Sequence, residues 1–435
     1  MKKAIPFRKL GAQEALFVEL TEKSKGAVQL VVFFRVCKSL DIEELMKGME
    51  YLHNLHPMLR SRVEKNHHTY WFCDVGFQDI PFEIKRDALP LNYQEEFNHL
   101  GGKILELDKY SYRFTVYVHK HGNVKWIAFM VSHAAIDGRS ALLLIRDLDR
   151  YLRGDSGYES SASTMQKSVV EYVSSIKHLK KPQLTISNDN YAFPKWPVEQ
   201  AANASLRRGC SIYRRLPKKS CDHLHLLSKR ENVQITSIYN AIAIIAARSL
   251  PGFHSRVELM LPINAQYLCK RQIDPNVIGE CTTTLTLSLS PDDTSLNLLS
   301  LAHLIQRKVY LQLRNGRFFE PPLKPDYNLV EIENMAKDFC NAKKYFPSGI
   351  CVSNVGEIME YTGPLTFFDF GVVMTVQTHG AHPIMLVTCT INGEGVFVFG
   401  YCEPLVSKES ALKYVKKYME TLRDLSESSD LHISY

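Results

Sequence analysis

His133 closes the apolar run VKWIAFMVS, and Asp137-Gly138 follow four residues later in VSHAAIDGRS. A histidine at the end of a strand sets its imidazole at the rim of a sheet, where ligand sites are often built. A neutral imidazole there can take a proton from a hydroxyl, thiol or amine, because its ordinary pKa lies near cellular pH. Asp137 stands where an N-cap would stand, before the helix that Arg139 and Ser140 open. Gly138 permits close backbone approach or a positive φ. The competing reading is a helix cap beside a hydrogen-bonded histidine, with no chemistry, and these few letters alone do not decide between the two. A metal site at His133 and Asp137 lacks further ligands at supporting spacing, so no metal is assigned.

Other polar positions also carry two readings. Ser353 and Asn354 end an apolar strand in the second half of the chain, either reaching a site as hydrogen-bond donors to an oxyanion or satisfying their own turn. Asp369-Phe370-Gly371 invites a kinase reading, but the His-Arg-Asp loop and the Gly-rich loop are both absent. Cys221, His223 and His225 lie close together on one predicted helix, which reads as an exposed helical surface. There is no Gly-x-Ser-x-Gly elbow and no Cys-x-x-Cys pair to support a serine hydrolase or a zinc ribbon.

Periodicity supplies the elements that must position these residues. AVQLVVFFRV reads as a strand, and DIEELMKGMEYLHNL as a helix capped by Asp41 with Glu44 at the capping-box position. YRFTVYVH and VKWIAFMVS form a hairpin whose second strand delivers His133. SALLLIRDLDRYL then forms a helix with Leu142, Ile145, Leu148 and Leu152 as its inward stripe. A proline-rich, aperiodic stretch follows, read as a crossover. The second half repeats the mixture: the strands CSIYRRLP, RVELMLPIN, TTTLTLSLS, GICVSNVG, LTFFDFGVVMT, HPIMLVTCTI and VFVFGYCE, with helices at TSIYNAIAIIAARSL, HLIQRKVYLQLRN and SKESALKYVKKYMETLRDL. These patterns predict an α/β (α+β) protein of two lobes, over 1–185 and 211–435, joined by a linker at 186–210.

Composition narrows the class. A net charge of +7 spread over 435 residues, with no basic stripe alternating with aromatics, argues against nucleic-acid binding. No apolar window approaches a transmembrane span, and Arg8, Lys9 and Glu14 interrupt the start before a signal peptide could form. Ten scattered cysteines, several in strand-like runs (Cys37, Cys351, Cys389), suit buried thiols of a reducing compartment. The expectation is a soluble, cytoplasmic protein.

His133-x-x-x-Asp137-Gly138 has company in LHPMLRSRV (55–63), LPINAQ (261–266), VSNVGEI (352–358) and FFDFG (367–371). In this order, and from KLGAQE (9–14) to EPLVSKESALKYV (403–415), the chain resembles the CoA-dependent acyltransferase superfamily. That superfamily holds chloramphenicol acetyltransferase, plant BAHD acyltransferases, fungal alcohol acetyltransferases, mycobacterial polyketide-associated acyltransferases and condensation domains. The layout is most similar to the stand-alone alcohol acetyltransferase and polyketide-associated branch.

The resemblance implies two chloramphenicol-acetyltransferase-like lobes, each a mixed sheet flanked by helices, with a tunnel between them. It implies an acyltransferase in which His133 is the general base for a hydroxyl or amine attacking an acyl thioester. Asp137 would be mainly structural, Ser132 and Gly138 would belong to the active-site loop, and Asp369 and Gly371 to a structural motif. No permanently bound cofactor is implied. The co-substrate would be acyl-CoA or a phosphopantetheine thioester, the other partners an acyl acceptor and an acyl carrier protein. Ser132 stands where condensation domains usually carry a first histidine, and Gln266 where an arginine commonly closes the motif. Asp137 therefore needs another partner, with Lys270 and Arg271 nearest in sequence. A stand-alone condensation-type enzyme and a non-catalytic binding protein on the same fold are the alternatives.

Overall fold

The computed structural model describes residues 6–427 apart from 67, 87–91, 121, 156–164, 166, 176–195, 254–256, 270–272, 318–322 and 377. Its first half runs β1 (Pro6–Lys9), α1 (Ala12–Ser24), β2 (Gln29–Val36), α2 (Ile42–Leu55), β3 (Ser61–Asn66), β4 (Thr69–Asp74), β5 (Phe82–Arg86), α3 (Tyr93–Gly101), β6 (Tyr112–Val118), β7 (Val124–Ser132), α4 (Gly138–Leu152) and α5 (Val169–Ser174). The later half runs β8 (Arg208–Leu216), α6 (Lys218–Arg230), α7 (Ile235–Ala247), β9 (Val257–Asn264), β10 (Thr282–Leu289), α8 (Pro291–Ser295), α9 (Leu298–Arg314), α10 (Leu329–Phe339), β11 (Ile350–Glu357), α11 (Met359–Thr362), β12 (Phe368–Thr375), β13 (Met385–Ile391), β14 (Glu394–Glu403) and α12 (Lys408–Glu427).

Each half builds a mixed sheet. The first has the order β12-β2-β7-β6-β5, the second β10-β9-β11-β13-β14-β8, and a small antiparallel sheet β1-β4-β3 lies beside the first. Both large sheets are mainly antiparallel, with parallel pairs at β5–β6, β11–β13 and β9–β11. Strands β2 and β7 are apolar and almost wholly buried, as expected of strands covered on both faces. Around the second sheet, α7 and α12 pack their apolar residues into a separate core.

The two halves exchange one element. β12, from the later half, pairs antiparallel with β2 and completes the edge of the first sheet. At the bulge between Phe370 and Val372 the backbones come so close that a Cβ on Gly371 would lie 2.8 Å from the Phe33 carbonyl oxygen. Only a glycine fits that approach.

The linker assigned to 186–210 lies partly outside the described residues, as do Lys270 and Arg271. The cysteine reading needs one correction: Cys37 is exposed, because it falls just past the end of β2. On α6 the sequence reading of an exposed surface is also corrected at one position. Cys221 packs inward while His225 is exposed. Among the described residues no helix is long and apolar enough to cross a membrane.

Candidate active site

The chain leaves β7 at Ser132 and enters α4 at Gly138, so His133 begins the short connection between them. Its backbone N–H donates to the Val28 carbonyl (3.0 Å), which continues the β2–β7 ladder by one residue and fixes where the side chain starts. The imidazole lies against Phe17 of α1, with ring centroids 5.0 Å apart.

His133 Nδ1 is 2.9 Å from Glu280 Oε2, on the segment that precedes β10. Glu280 is wholly buried. Its other oxygen, Oε1, accepts from Gln13 Nε2 (2.9 Å) and from the Thr282 backbone N–H (2.8 Å). Gln13 is placed by α1, a helix buried nearly all round. Two carboxylates on that helix are paired: Glu14 with Arg8 at 2.6 Å, and Glu19 with Lys23 and the Tyr70 hydroxyl, each at 2.6 Å.

Burial and charge oppose each other at this pair. Burial alone would push the His133 pKa down, but the Glu280 carboxylate and its hydrogen bond outweigh burial and raise it. Burial pushes the Glu280 carboxyl up to about 7, against the pull of His133. Both directions mean that the pair keeps an added proton to higher pH than usual. Once that proton has left, and the remaining one sits on Nδ1 and is donated to Glu280, Nε2 is a lone pair.

The ring borders a cavity of about 640 Å³ walled by both halves of the chain: α1 and β2 on one side, β9, β11, β13, α7 and α9 on the other. That volume suits a small organic ligand. Most of the wall is apolar, including Leu16, Phe17, Met260 and Val387.

Asp137 caps α4, accepting from the Ser140 N–H at 2.7 Å, and its second oxygen accepts from the Cys281 N–H at 3.1 Å. Its own N–H donates to the Gly279 carbonyl (3.1 Å), and the Ser140 hydroxyl donates to the same oxygen (2.8 Å). Asp137 thus ties the histidine loop to the segment carrying Glu280, and backbone amides take the place of the arginine that Gln266 cannot supply. Farther along α4, Asp149 Oδ1 accepts from the Thr366 and Phe367 N–H groups that lead into β12 (2.8 and 2.6 Å).

Ser353 and Asn354 both line the cavity. Asn354 is committed within the lobe: Nδ2 donates to Thr236 Oγ1 (2.9 Å) and Oδ1 accepts from the Gly356 N–H (3.1 Å). The Ser353 hydroxyl makes no hydrogen bond among the described residues.

Solved structures with a similar fold include three that match over nearly the whole chain. The first condensation domain of the CDA synthetase matches with a TM-score of 0.72 at 13% identity, over 98% of this chain and 97% of that one. Trichothecene 15-O-acetyltransferase TRI3 from Fusarium sporotrichioides matches at 0.69 and 12%, over 96% and 94%. Polyketide synthase associated protein 5 from Mycobacterium tuberculosis matches at 0.66 and 12%, over 99% and 100%. The chain has the two-lobed acyltransferase–condensation fold. No protein-family model and no curated protein sequence matches it.

Within this acyltransferase–condensation fold Ser132, His56, Asp369 and Gly371 are not among the residues that line the cavity, whereas Asp137, Gly138 and residues 261–264 are. Ser132 is buried, its hydroxyl accepting from the Ala134 N–H at 3.2 Å, and so shapes the turn after β7. Asp369 pairs with Arg35 across β12 and β2 at 2.5 Å, half-exposed. His56, from LHPMLRSRV, is buried with Nε2 3.2 Å from Asp147 of α4. Gly138 lines the cavity, its backbone is not left-handed, which corrects the positive-φ reading, and a Cβ there would meet nothing within 4 Å.

Glu280 and Gln13 escaped the sequence reading. Their signal is local: Glu280 is the lone charge in VIGECTTTL, immediately before an alternating strand, and Gln13 sits beside Glu14 at the start of a helix. Neither spacing relates them to His133, 147 residues before Glu280.

Proposed function

We propose that the protein is an acyltransferase that moves an acyl group from a CoA or carrier-protein thioester to a hydroxyl or amine. The observation that carries this reading is the His133 imidazole at a cavity shared by two lobes, with Nδ1 held by a buried carboxylate. Nε2 takes the proton of the acceptor O–H or N–H as that atom bonds to the thioester carbonyl carbon. The resulting oxyanion is met by a donor on the cavity wall, a role we give to Ser353, which lines the cavity and makes no hydrogen bond among the described residues. Collapse breaks the C–S bond, and the imidazolium returns its proton to the departing thiolate, so no acyl-enzyme forms. Glu280 stabilises the imidazolium and holds the tautomer, while Gln13 and the Thr282 amide hold Glu280. Having both substrates in one cavity supplies the rest, through orientation.

The likeness in fold to the condensation domain of the CDA synthetase supports a carrier-protein donor, and the likeness to TRI3 supports a free acyl donor with an alcohol acceptor. The experiment is transfer from a panel of acyl-CoAs and acyl-pantetheinylated carriers to mixed alcohols and amines, with wild type and His133→Ala. Turnover should fall by about 10²–10⁴-fold in the variant with its melting temperature kept, as expected for loss of a general base. A variant that retains most of its turnover removes this mechanism. A wild type that acylates nothing and hydrolyses no thioester points to a binding protein on the same fold.

A further inference from the structure

The cavity has a second pair of histidines at its wall, contributed by the later half of the chain. His379 and His382 lie in the connection between β12 and β13. Both are almost wholly buried, both line the same cavity as His133, and their rings meet edge to face with centroids 5.8 Å apart.

The backbone assigns a tautomer to each ring. His382 Nδ1 lies 2.8 Å from the Gly349 carbonyl oxygen. A carbonyl only accepts, so Nδ1 carries the proton and Nε2 of the neutral ring is an acceptor. His379 Nδ1 accepts from the Ala381 N–H at 3.3 Å, so its proton sits on Nε2, which is a donor. Neither Nε2 has a hydrogen-bond partner among the described residues. Burial holds both rings neutral, the neighbouring His382 and Arg207 adding to it at His379, while Arg207 donates to the His379 carbonyl at 2.7 Å. The wall therefore presents one donor and one acceptor, side by side and uncharged. Because the His379 Nε2 carries its proton, the pair is not arranged to share a metal ion.

We propose that His379 and His382 form a second polar subsite, which takes an uncharged group that accepts and donates a hydrogen bond at once: an amide or a hydroxyl. An ammonium would find no carboxylate there to compensate its charge, and a carboxylate or phosphate, having no proton to donate, would set a lone pair against the Nε2 lone pair of His382. A hydroxyl or amide desolvated in this cavity without such a pair would lose its hydrogen bonds, so the subsite selects for substrates that carry one. The acyl-transfer reading enters only in naming the two sources of that group, the pantetheine arm of the donor and a polar acceptor.

The test is calorimetric binding to the full chain. Pantetheine, whose arm carries secondary amides, represents the donor, and α,ω-diols measured against mono-alcohols of equal length represent the acceptor. The double variant His379→Leu/His382→Leu should weaken pantetheine, or the diols, by about tenfold or more, the size of one lost hydrogen bond in a desolvated site. The mono-alcohols, whose one hydroxyl can be placed at His133 instead, should lose less than the diols. Loss for pantetheine assigns the subsite to the donor arm, and loss for the diols assigns it to the acceptor. A folded double variant with wild-type affinity for every probe overturns the proposal.

A second measurement needs no variant. Long-range proton–nitrogen NMR of the wild-type chain should find His379 protonated on Nε2 and His382 on Nδ1, with both imidazoles shifting when pantetheine or a diol saturates the cavity. Reversed tautomers, or imidazoles that no probe moves, also overturn it. Neither readout uses turnover. A chain that transfers no acyl group but whose histidines answer the probes keeps the subsite and loses the reaction; an active transferase whose pair is indifferent loses the subsite alone.

Discussion

Two histidine sites face one cavity and hold their protons in opposite ways. The His133 side chain is 16% exposed, and His379 and His382 are 7% and 6% exposed as whole residues, so all three are largely shielded from water. At His133 burial is opposed by the Glu280 carboxylate, and the pKa rises. At the other pair burial meets no anion, Arg207 adds a like charge, and the two rings drop to about 3 and 4. The sign of the shift thus comes from the charge beside each ring and not from its depth. On the proposed reading one ring exchanges a proton and the other two keep fixed hydrogen-bonding roles.

The sharpest way to break that contrast is to remove the charge from the first site. Glu280→Gln keeps the shape, but its amide can donate to Nδ1 and so favour the wrong tautomer. We expect kcat to fall by about 10²–10⁴-fold. The rising limb of kcat/KM against pH should also move to lower pH, because nothing then props up the His133 pKa. A limb that stays in place while kcat falls would reduce Glu280 to a packing role.

The second site is tested by acid. Its histidines titrate below their ordinary value of 6.5 when folded, so the stability they contribute is complete above pH 6.5 and is lost as pH falls toward 4. The slope is about 1.4 kcal/mol per pH unit for each ring. Glu280, with its folded pKa raised from 4.5 to about 7, acts in the opposite sense: its contribution is complete below pH 4.5 and is lost as pH rises through 7. The readout is therefore the difference in unfolding free energy between wild type and His379→Gln/His382→Gln from pH 4 to 7.5. A difference that does not vary with pH would mean that the rings already charge freely.

Asp137→Ala probes the tether that keeps the first site assembled. The substitution removes the cap on α4 and leaves the Cys281 N–H without its acceptor, which should cost about 1–3 kcal/mol. Melting temperature and kcat should fall together, with kcat falling less than in Glu280→Gln. Wild-type melting with no activity would instead give Asp137 a direct part in the chemistry.

The first site was half legible in the sequence and the second was not. Strand period up to Ser132 and cap chemistry at Asp137 locate His133 on a sheet rim, because those signals are local. The two-lobed α/β fold was legible for the same reason, strand by strand. Glu280 was not, since its contact with His133 depends on how the two halves close, and no local period records that. The sheet position of β12 is hidden for the same reason: LTFFDFGVVMT reads as a strand, but nothing in it names β2 as its neighbour. His379 and His382 sit in THGAHP, a turn-like stretch whose tautomers are set by the Ala381 N–H and by the carbonyl of Gly349, thirty-three residues away from His382.

The smallest expected effect is also the finest test of how a substrate divides its contacts between the two sites. Gly138 is the first residue of α4 and borders the cavity, and a methyl added there would meet no protein atom within 4 Å. Its backbone is not left-handed, so alanine adds no strain, and the gain in helix propensity is at most about 1 kcal/mol. Gly138→Ala should therefore leave the melting temperature unchanged or slightly raised. What the methyl does occupy is open space at the wall that His133 shares. If the acyl donor or the acceptor passes that wall, KM for that substrate should rise a few-fold with little change in kcat, and the KM of the other should stay put. Binding of pantetheine or diols through His379 and His382 should not respond, because the methyl touches neither ring. A KM unchanged for both substrates would mean that the reacting groups reach Nε2 without passing Gly138.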